Sequence, residues 1–253
     1  MNKPPRTIRT EAIVLTHSNY GEADRMLRLY TLHLGKVQAL AKGVRKSTSR
    51  KAGHLEPFTR THVLLARGRS FYIVTQAETL DAYLPLRADL AHLGQAAYVI
   101  ELLDRFTYED GEQPALYRIT QHALERLAQD EPPPLVLRYY ELRLLDALGF
   151  RPQLFECVLC GRKIQPEDQF FSVLHGGVVC PAAHPPDSGA LYPVSMDALR
   201  FLRHLQRSSY ADARRADPAP QVWREMETLM EHYLTSLLER SLNVPAFLRK
   251  IKK

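Results

Sequence analysis

The first third of the chain alternates between apolar and polar positions over short stretches, which is the pattern of half-buried β-strands. Met26, Arg28 and Tyr30, for example, alternate with Leu27 and Leu29. Small and polar turn-forming residues separate five stretches of this kind. In chain order they are TIRTEAIVLT, DRMLRLYTLH, KVQALAKG, FTRTHVLLAR and FYIVTQAE.

Five short antiparallel strands predict a small closed barrel. The five-stranded OB barrel fits this number and spacing of strands. An SH3-like barrel has a similar alternation, so the pattern alone does not separate the two.

After Pro85 the apolar positions recur every three or four residues, which predicts helices. Asp89 is placed to cap a first helix, whose predicted apolar face consists of Leu90, Leu93, Ala97, Ile100, Leu103 and Phe106. A second helix follows Pro114, and a third follows the prolines at 132–134 and stops at Gly149. Two more helices are predicted in SMDALRFLRHLQR and in PAPQVWREMETLMEHYLTSLLER.

All three cysteines lie in one segment, CVLCGRKIQPEDQFFSVLHGGVVCPAAH, which interrupts the helices. The spacing of Cys157 and Cys160 lets one tight turn present two thiolates to a tetrahedral ion, and Cys180 follows after 19 intervening residues. His184 has a normal spacing from Cys180 for a fourth ligand, and His175 is the rival. A water as fourth ligand, or a site without metal, also stays open. An odd number of crowded cysteines fits a disulfide framework poorly.

We expect the metal to be a structural Zn²⁺. A catalytic zinc keeps an open position beside a base, whereas four protein ligands are available here. The sequence also lacks the His-x-Glu and His-Glu-x-x-His signatures, a phosphate-binding loop, a nucleophile elbow and a dinucleotide fingerprint. We therefore predict no catalytic residues.

The fold predicted from these patterns is α+β and multidomain. An OB-like barrel that binds nucleic acid is expected at residues 1–82 and an α-helical domain at 83–253. The cysteine segment is expected to form a zinc-ribbon-like insertion at 154–192, with a hairpin turn at Gly176 and Gly177.

The net charge of +6 is unevenly distributed. Residues 1–80 contain 14 Lys and Arg against 5 Asp and Glu, a net charge of +9, and residues 81–253 contain 20 against 23, a net charge of −3. Positive charge concentrated in one segment favours binding to a polyanion, because each neutralised phosphate releases condensed counterions. A merely solvated basic surface is the alternative.

The densest basic stretch is LGKVQALAKGVRKSTSRKAGHLEPF, which is also rich in glycine and serine. Such a loop can lie along the phosphate backbone of a nucleic acid. Because nothing in it resembles a helix that reads bases, we expect only a weak preference for the nucleic-acid sequence. Tyr30, Phe58, Phe71 and Tyr72 lie on the predicted strands, where each either stacks on a base or fills the core. The predicted DNA-binding residues are Lys36, Lys42, Arg45, Lys46, Arg50 and Lys51.

The composition is that of an ordinary globular protein, with 45% hydrophobic and 25% charged residues. Neither a long apolar run nor the apolar stretch of a secretory signal is present. We therefore expect a cytoplasmic protein without a membrane partner.

The N-terminal third combines several short motifs in a fixed order. They are a Val-Leu strand at 14–15, Tyr-Gly-Glu at 20–22, Thr31 before Leu-Gly-Lys at 34–36, Ala-Lys-Gly-x-Arg at 41–45 and Leu-x-Pro-Phe at 55–58. In this combination the chain resembles the bacterial RecO family of recombination mediators. The family also has a helical domain with a Cys-x-x-Cys insertion and a later cysteine pair, in place of which this chain offers Cys180 and His184.

The resemblance implies a function that the charges alone do not. It implies binding to single- and double-stranded DNA, annealing of complementary strands, contact with the single-strand DNA-binding protein, and loading of RecA together with RecR. A zinc-containing RNA-binding or transcription-associated adaptor is the alternative, and a metal-dependent hydrolase is a third possibility.

Overall fold

The alternating stretches form five strands that close into a barrel in the computed structural model, which describes residues 6–109, 111–183 and 191–238. Around the ring the order is β1-β2-β3-β5-β4, with antiparallel neighbours except for a parallel contact between β3 and β5. This is the Greek-key barrel of the OB fold, so the predicted OB-like barrel is confirmed. The strands are β1 (Thr7–Tyr20), β2 (Asp24–Thr31), β3 (Gly35–Ala41), β4 (Arg60–Arg67) and β5 (Tyr72–Asp81).

β1 is long enough to belong to both halves of the barrel. Its first half, Thr7–Ile13, pairs with β4, and its second half, Ala12–Tyr20, pairs with β2. The register shifts between Val14 and Thr16. Because a bulge of this kind bends a strand, β1 can change direction and pair with β4 along its first half and with β2 along its second half.

The inward positions of the strands are apolar and form one buried cluster. Burial of this kind contributes roughly 25 cal/mol for each Å² of apolar surface removed from water. The polar positions of the alternation are left on the outside, which is where the basic side chains of the barrel lie. The cluster consists of Ala12, Val14, Leu27, Leu29, Val37, Ala39, Ala41, Val44, Leu55, Val63, Leu65 and Val74.

Two helices, α1 (Leu90–Phe106) and α2 (Pro114–Ala128), belong to the same compact unit as the barrel, which extends to Asp130. Asp89 caps α1 as predicted, since its Oδ1 accepts a hydrogen bond from the His92 N–H at 2.9 Å. The predicted apolar face is partly wrong: the side chain of Leu90 is exposed, because it stands at the open first turn of the helix.

The second compact unit begins at Glu131 and contains the remaining elements. A three-stranded sheet in the order β7-β6-β8 interrupts its helices, as the zinc-ribbon-like insertion predicts. The short helix α5 had no sequence signal long enough to predict it. The elements are α3 (Pro133–Ala147), β6 (Gln169–Ser172), β7 (Gly177–Val179), β8 (Leu191–Val194), α4 (Met196–Arg207), α5 (Tyr210–Ala213) and α6 (Pro220–Leu238).

The boundary predicted near residue 83 follows the change from strands to helices, whereas the two compact units divide at residue 130. The last two residues of the final predicted helix, at 239–240, lie outside the described residues. None of the described helices is long and apolar enough to cross a bilayer.

Candidate nucleic-acid interface and metal centre

The loop between β3 and β4 is fixed to the barrel at several points. Val44 and Leu55 are fully buried in the core and hold the two ends of the loop. The Gly43 N–H donates to Asp24 Oδ1 at 2.7 Å, and the Arg45 N–H donates to the Ala23 carbonyl at 2.9 Å. The loop therefore has a defined conformation beside the β1–β2 turn. We call residues 42–51 the basic loop.

Most cations of the basic loop face solvent. The side chains of Lys42, Lys46 and Arg50 are exposed and make no ion pair with another described residue. The Arg45 guanidinium donates to the carbonyls of Gly21 and Glu22, at 3.4 and 3.1 Å, which orients it, and it forms no ion pair within the part of the chain that the structure describes. These four side chains present uncompensated positive charge on one side of the barrel.

Lys51 is more constrained than the other cations of the basic loop. Its Nζ donates to the Val74 carbonyl of β5 at 3.0 Å. Burial lowers the pKa of Lys51, and the negative charge of Asp24 acts in the opposite direction. Lys51 thus joins the end of the loop to the outer surface of β5.

Lys36, the sixth predicted residue, lies apart from the basic loop. It is on β3, and its side chain is only 11% exposed. Its Nζ donates to the backbone carbonyl of Asp104 on α1 at 2.6 Å and lies 3.3 Å from Asp104 Oδ1. The ammonium group of Lys36 is therefore already paired with Asp104 of the same compact unit.

The four predicted aromatic residues have different environments. Tyr30 is fully buried and Tyr72 packs against the barrel core, so these two side chains fill the core and are not available to stack on bases. Phe58 is half-buried under the guanidinium of Arg87, which lies 5.9 Å from the ring centroid.

Phe71 forms an edge-to-face pair with a residue that the sequence did not single out. Its ring centroid lies 6.4 Å from that of Tyr20, and Tyr20 is 49% exposed. Tyr20 is the last residue of β1 and Phe71 immediately precedes β5, so only the three-dimensional fold brings them together.

Glu56 anchors the segment that leads from the basic loop into β4. Its two carboxylate oxygens contact Arg25 Nη1 at 2.7 Å and His17 Nε2 at 3.3 Å. Burial acts to raise the pKa of Glu56, but the hydrogen bonds from Arg25 and His17 outweigh it and hold the pKa below its usual value. This network ties β1, β2 and the loop to one another.

The sulfur atoms of Cys157, Cys160 and Cys180 all lie within 4.8 Å of one another. Cys157 is buried, Cys180 is half-buried and Cys160 is exposed. The turn at the first pair is closed by hydrogen bonds from the Gly161 N–H to the Cys157 carbonyl and from the Cys157 N–H to the Arg162 carbonyl, both at 2.8 Å. The tight turn expected from the Cys-x-x-Cys spacing is thus present.

The surroundings of Cys157 stabilise a thiolate. Burial acts to raise its pKa, but backbone N–H groups of Cys180, Cys160 and Leu159 hydrogen-bond to the sulfur, and the pKa is lowered to about 7. The pKa of Cys180 is raised, first by burial and then by the neighbouring sulfurs. Three sulfurs this close cannot easily all be ionised without a cation, which suits them as ligands of a divalent metal.

The hairpin of β6 and β7 carries Cys180 to the first pair of cysteines. The Val158 N–H donates to the Val178 carbonyl at 2.9 Å, and the Cys180 N–H donates to the Cys157 sulfur at 3.4 Å. A Cβ on Gly177 would lie 2.5 Å from Val158 Cγ1, so only glycine allows the hairpin to approach this closely.

The two candidate histidines are not equivalent. His175 does not join the three sulfurs, and its Nδ1 is within 2.9 Å of Ser172 Oγ in the turn of the hairpin. His184, the preferred fourth ligand, lies outside the described residues.

Arg9 and His62 are polar residues of the barrel surface that we did not predict to be functional. Both line a groove that begins at Arg50 and Lys51. Arg9 occupies an outward-facing position of β1, and the alternation of apolar and polar residues along the strand was the sequence signal that could have identified it as a surface residue.

These features define a class of protein: an OB-barrel protein with a cationic loop and a three-cysteine candidate metal centre in a separate, largely helical unit. Sequence comparison identifies the family. Residues 4–83 match the profile described as Recombination protein O N terminal, and residues 87–245 match Recombination protein O C terminal. The chain belongs to the RecO family.

Curated relatives carry the name DNA repair protein RecO. The protein of Roseiflexus sp. is 41% identical over 248 residues, which cover 98% of this chain and 87% of the relative. The protein of Dehalococcoides mccartyi is 35% identical over 236 residues, covering 93% and 92% of the two chains. The protein of Bifidobacterium adolescentis is 37% identical over 236 residues, covering 92% and 95%. A general role in DNA repair follows from these relationships.

Proposed function

We propose that this protein is a non-enzymatic recombination mediator of DNA repair. In this role it binds single- and double-stranded DNA in the cytoplasm, anneals complementary strands and, with RecR, helps to load RecA onto DNA coated by the single-strand DNA-binding protein. Family membership supports the general role. The finer activities are those that the RecO resemblance implies.

The observation that carries the DNA-binding proposal is the basic loop. Lys42, Lys46 and Arg50 are exposed and have no ion pair with another described residue, and Arg45 is oriented by neutral carbonyls alone. Free cations on a rigid barrel attract phosphates at little cost in ordering, because the backbone beneath them is already fixed. We leave Lys36 out of the proposed surface, since Asp104 already binds its ammonium group.

We further propose that Cys157, Cys160, Cys180 and His184 bind one structural Zn²⁺. The close approach of the three sulfurs and the N–H groups directed at Cys157 support this ligand set. When bound, the ion fixes the turn at the first pair of cysteines to the end of β7. In this proposal the zinc takes part in no reaction, and residues 154–192 form an insertion in a helical domain that spans 83–253.

Annealing on coated strands tests the mediator function. Two complementary oligonucleotides are coated with the cognate single-strand DNA-binding protein, and duplex formation is followed by fluorescence without nucleotide. We expect the protein to accelerate annealing, and we expect the acceleration to decrease as salt rises, because screening weakens phosphate contacts.

The controls separate a mediator from a polycation. A variant with alanine at positions 42, 45, 46, 50 and 51 should lose the acceleration, and polylysine should fail on coated strands. If the protein binds bare strands tightly but does not accelerate annealing over buffer, the adaptor function becomes the better proposal. Degradation of DNA on addition of metal would favour a hydrolase.

A further inference from the structure

The outer surface of the barrel contains a groove formed by β1, β4 and β5, into which the end of the basic loop opens. The groove has a volume of about 570 Å³. We call it the β4–β5 groove. The polar residues that line it include Arg9, Arg50, Lys51, His62, Gln76 and Glu78.

The face of the barrel formed by β2 and β3 is already occupied by its own unit. Arg28 Nη1 donates to Asp104 Oδ2 at 2.5 Å, and Lys36 binds the same residue. Gln38 Nε2 donates to Glu109 Oε1 at 2.5 Å. A phosphate approaching this face would have to displace these carboxylates or overcome their repulsion.

The backbone of the α1–α2 connection also lies against the start of β3. A Cβ on Gly35 would meet the Gly111 carbonyl oxygen at 2.1 Å, so the two chain segments are in direct contact there. This contact and the ion pairs restrict access to the same face from two sides.

The β4–β5 groove differs in its charge. Arg9 and Arg50 are exposed, and neither forms an ion pair with a described residue. Lys51 lies at the wall, where the Val74 carbonyl holds its ammonium group. Positive charge is therefore continuous from the basic loop into the groove. The lining side chains offer cations and hydrogen-bond donors, which suit phosphates and sugars.

We propose that a single DNA strand bound by the basic loop continues along the β4–β5 groove and does not cross the face of β2 and β3. The proposal rests on the DNA-binding function proposed above and adds the path of the strand. Arg9 and Arg50 contact phosphates along this path, and His62 and Gln76 donate hydrogen bonds. Because none of these groups reads a base edge, the path is independent of sequence.

Removing the negative charge of Glu78 tests the proposal, because it should tighten DNA binding, whereas removing a cation should weaken it. It is an exposed carboxylate in the wall of the groove, where it repels a strand that lies there. Glu109 is an exposed carboxylate next to β3, and it lines a separate cavity with Arg69. E78Q and E109Q remove the same charge from the same compact unit, so they form a matched pair.

The experiment is a fluorescence anisotropy titration of labelled oligothymidylate at several salt concentrations. We expect E78Q to bind roughly threefold more tightly than the parent, which is the effect of one unit charge about 6 Å from a phosphate in water. E109Q should bind like the parent. R9A should reduce the slope of log affinity against log salt by about 0.7, whereas R69A, the matched loss of charge near Glu109, should not.

The outcomes that overturn the proposal differ from those that overturn the function. Tighter binding by E109Q with no change in E78Q would place the strand on the β3 side of the barrel. Equal effects of the two variants would mean that only the overall field of the unit acts. If the parent does not bind, or if alanine throughout the basic loop changes nothing, the proposed DNA-binding function itself fails. Equal melting temperatures of the variants would show that each binding change is local.

Discussion

The sulfur atoms of Cys160 and Cys180 lie 3.6 Å apart, although 19 residues separate them in the chain. A tetrahedral zinc with Zn–S bonds of about 2.3 Å requires a separation of about 3.8 Å between its sulfur ligands. The hairpin therefore brings these two thiols to nearly the separation that a tetrahedral zinc would require.

The first prediction concerns the structural role of the metal. C160S should lower the melting temperature of the second unit by roughly 10 °C or more and should abolish stoichiometric zinc, because binding energy at such a site is folding energy. Calorimetry and elemental analysis measure the two effects. K163A, an exposed change in the same segment, should alter neither. A parent protein that is well folded without metal would contradict the prediction.

The second prediction separates the two candidate histidines. H184A should weaken zinc affinity strongly in a chelator competition, since it removes the proposed fourth ligand. H175A should leave zinc affinity unchanged, because the described position of its ring is beside Ser172 and not among the sulfurs. The opposite result would move the fourth ligand to His175, and no change in either variant would favour a water.

The third prediction concerns the salt dependence of DNA binding. If about four cations of the basic loop contact phosphates of a single strand, log affinity should fall with log salt with a slope near −3, and alanine at positions 42, 45, 46, 50 and 51 should flatten it. The loss should be equal for all sequences. Alanine at Arg200, Arg214 and Arg215, three exposed arginines of the second unit, is the control for lost charge and should preserve most of the slope. A parent affinity indifferent to salt would exclude phosphate contacts as its source.

The fourth prediction follows from the lowered pKa of Glu56. A carboxyl whose pKa is lower in the folded state adds stability that is fully present above its unfolded pKa of about 4.3 and is lost as the pH falls through the folded value. Denaturant unfolding of the parent should therefore show a loss of stability as the pH falls below about 4.3, and E56Q should show a smaller loss. E22Q, at an exposed position of the β1–β2 turn, is the control and should follow the parent. Equal acid dependence of E56Q and the parent would show that the network with Arg25 and His17 contributes nothing.

The fifth prediction concerns the division of the chain. Leu103 and Leu145 are both fully buried, Leu103 in the first compact unit and Leu145 in the second. L103D and L145D should each destabilise their own unit by several kcal/mol, because each buries an unpaired charge. Hydrogen exchange resolves which unit opens. If L103D loosens α3 to α6 and spares the barrel, the helices form one domain from residue 83 onward. An unchanged melting profile would show that the substituted position is not in the core.

The sequence predicted the barrel well because alternation, turns and a long apolar β1 all indicate the same structure. The position of Asp89 was equally informative, since a cap acts within one turn of its own helix. The cysteine spacing predicted that Cys157, Cys160 and Cys180 come together, and the fold brings their sulfurs close enough to hold a metal ion.

Relationships across the fold could not be predicted in the same way. Lys36 belonged by sequence to the basic cluster, but its partner Asp104 is 68 residues away. Tyr20 and Phe71 meet only because the end of β1 and the start of β5 lie at the same side of the barrel. Leu90 follows the helical period, yet its exposure depends on what lies beside the first turn. For Lys36 and for the Tyr20–Phe71 pair, a distant segment decides the role of the residue.

The parallel pairing of β3 with β5 is the shortest strand pairing in the barrel, which we call a seam, since it joins only Ala39 to Tyr72 and Leu40 to Ile73. The antiparallel seams each join at least seven residue pairs. Thermal opening of the ring is thus easiest at this seam. Opening would turn a barrel without edges into a curved sheet with two unpaired strands, the form that associates with other chains. The short β3–β5 pairing is therefore the place where opening of the barrel would expose strand edges.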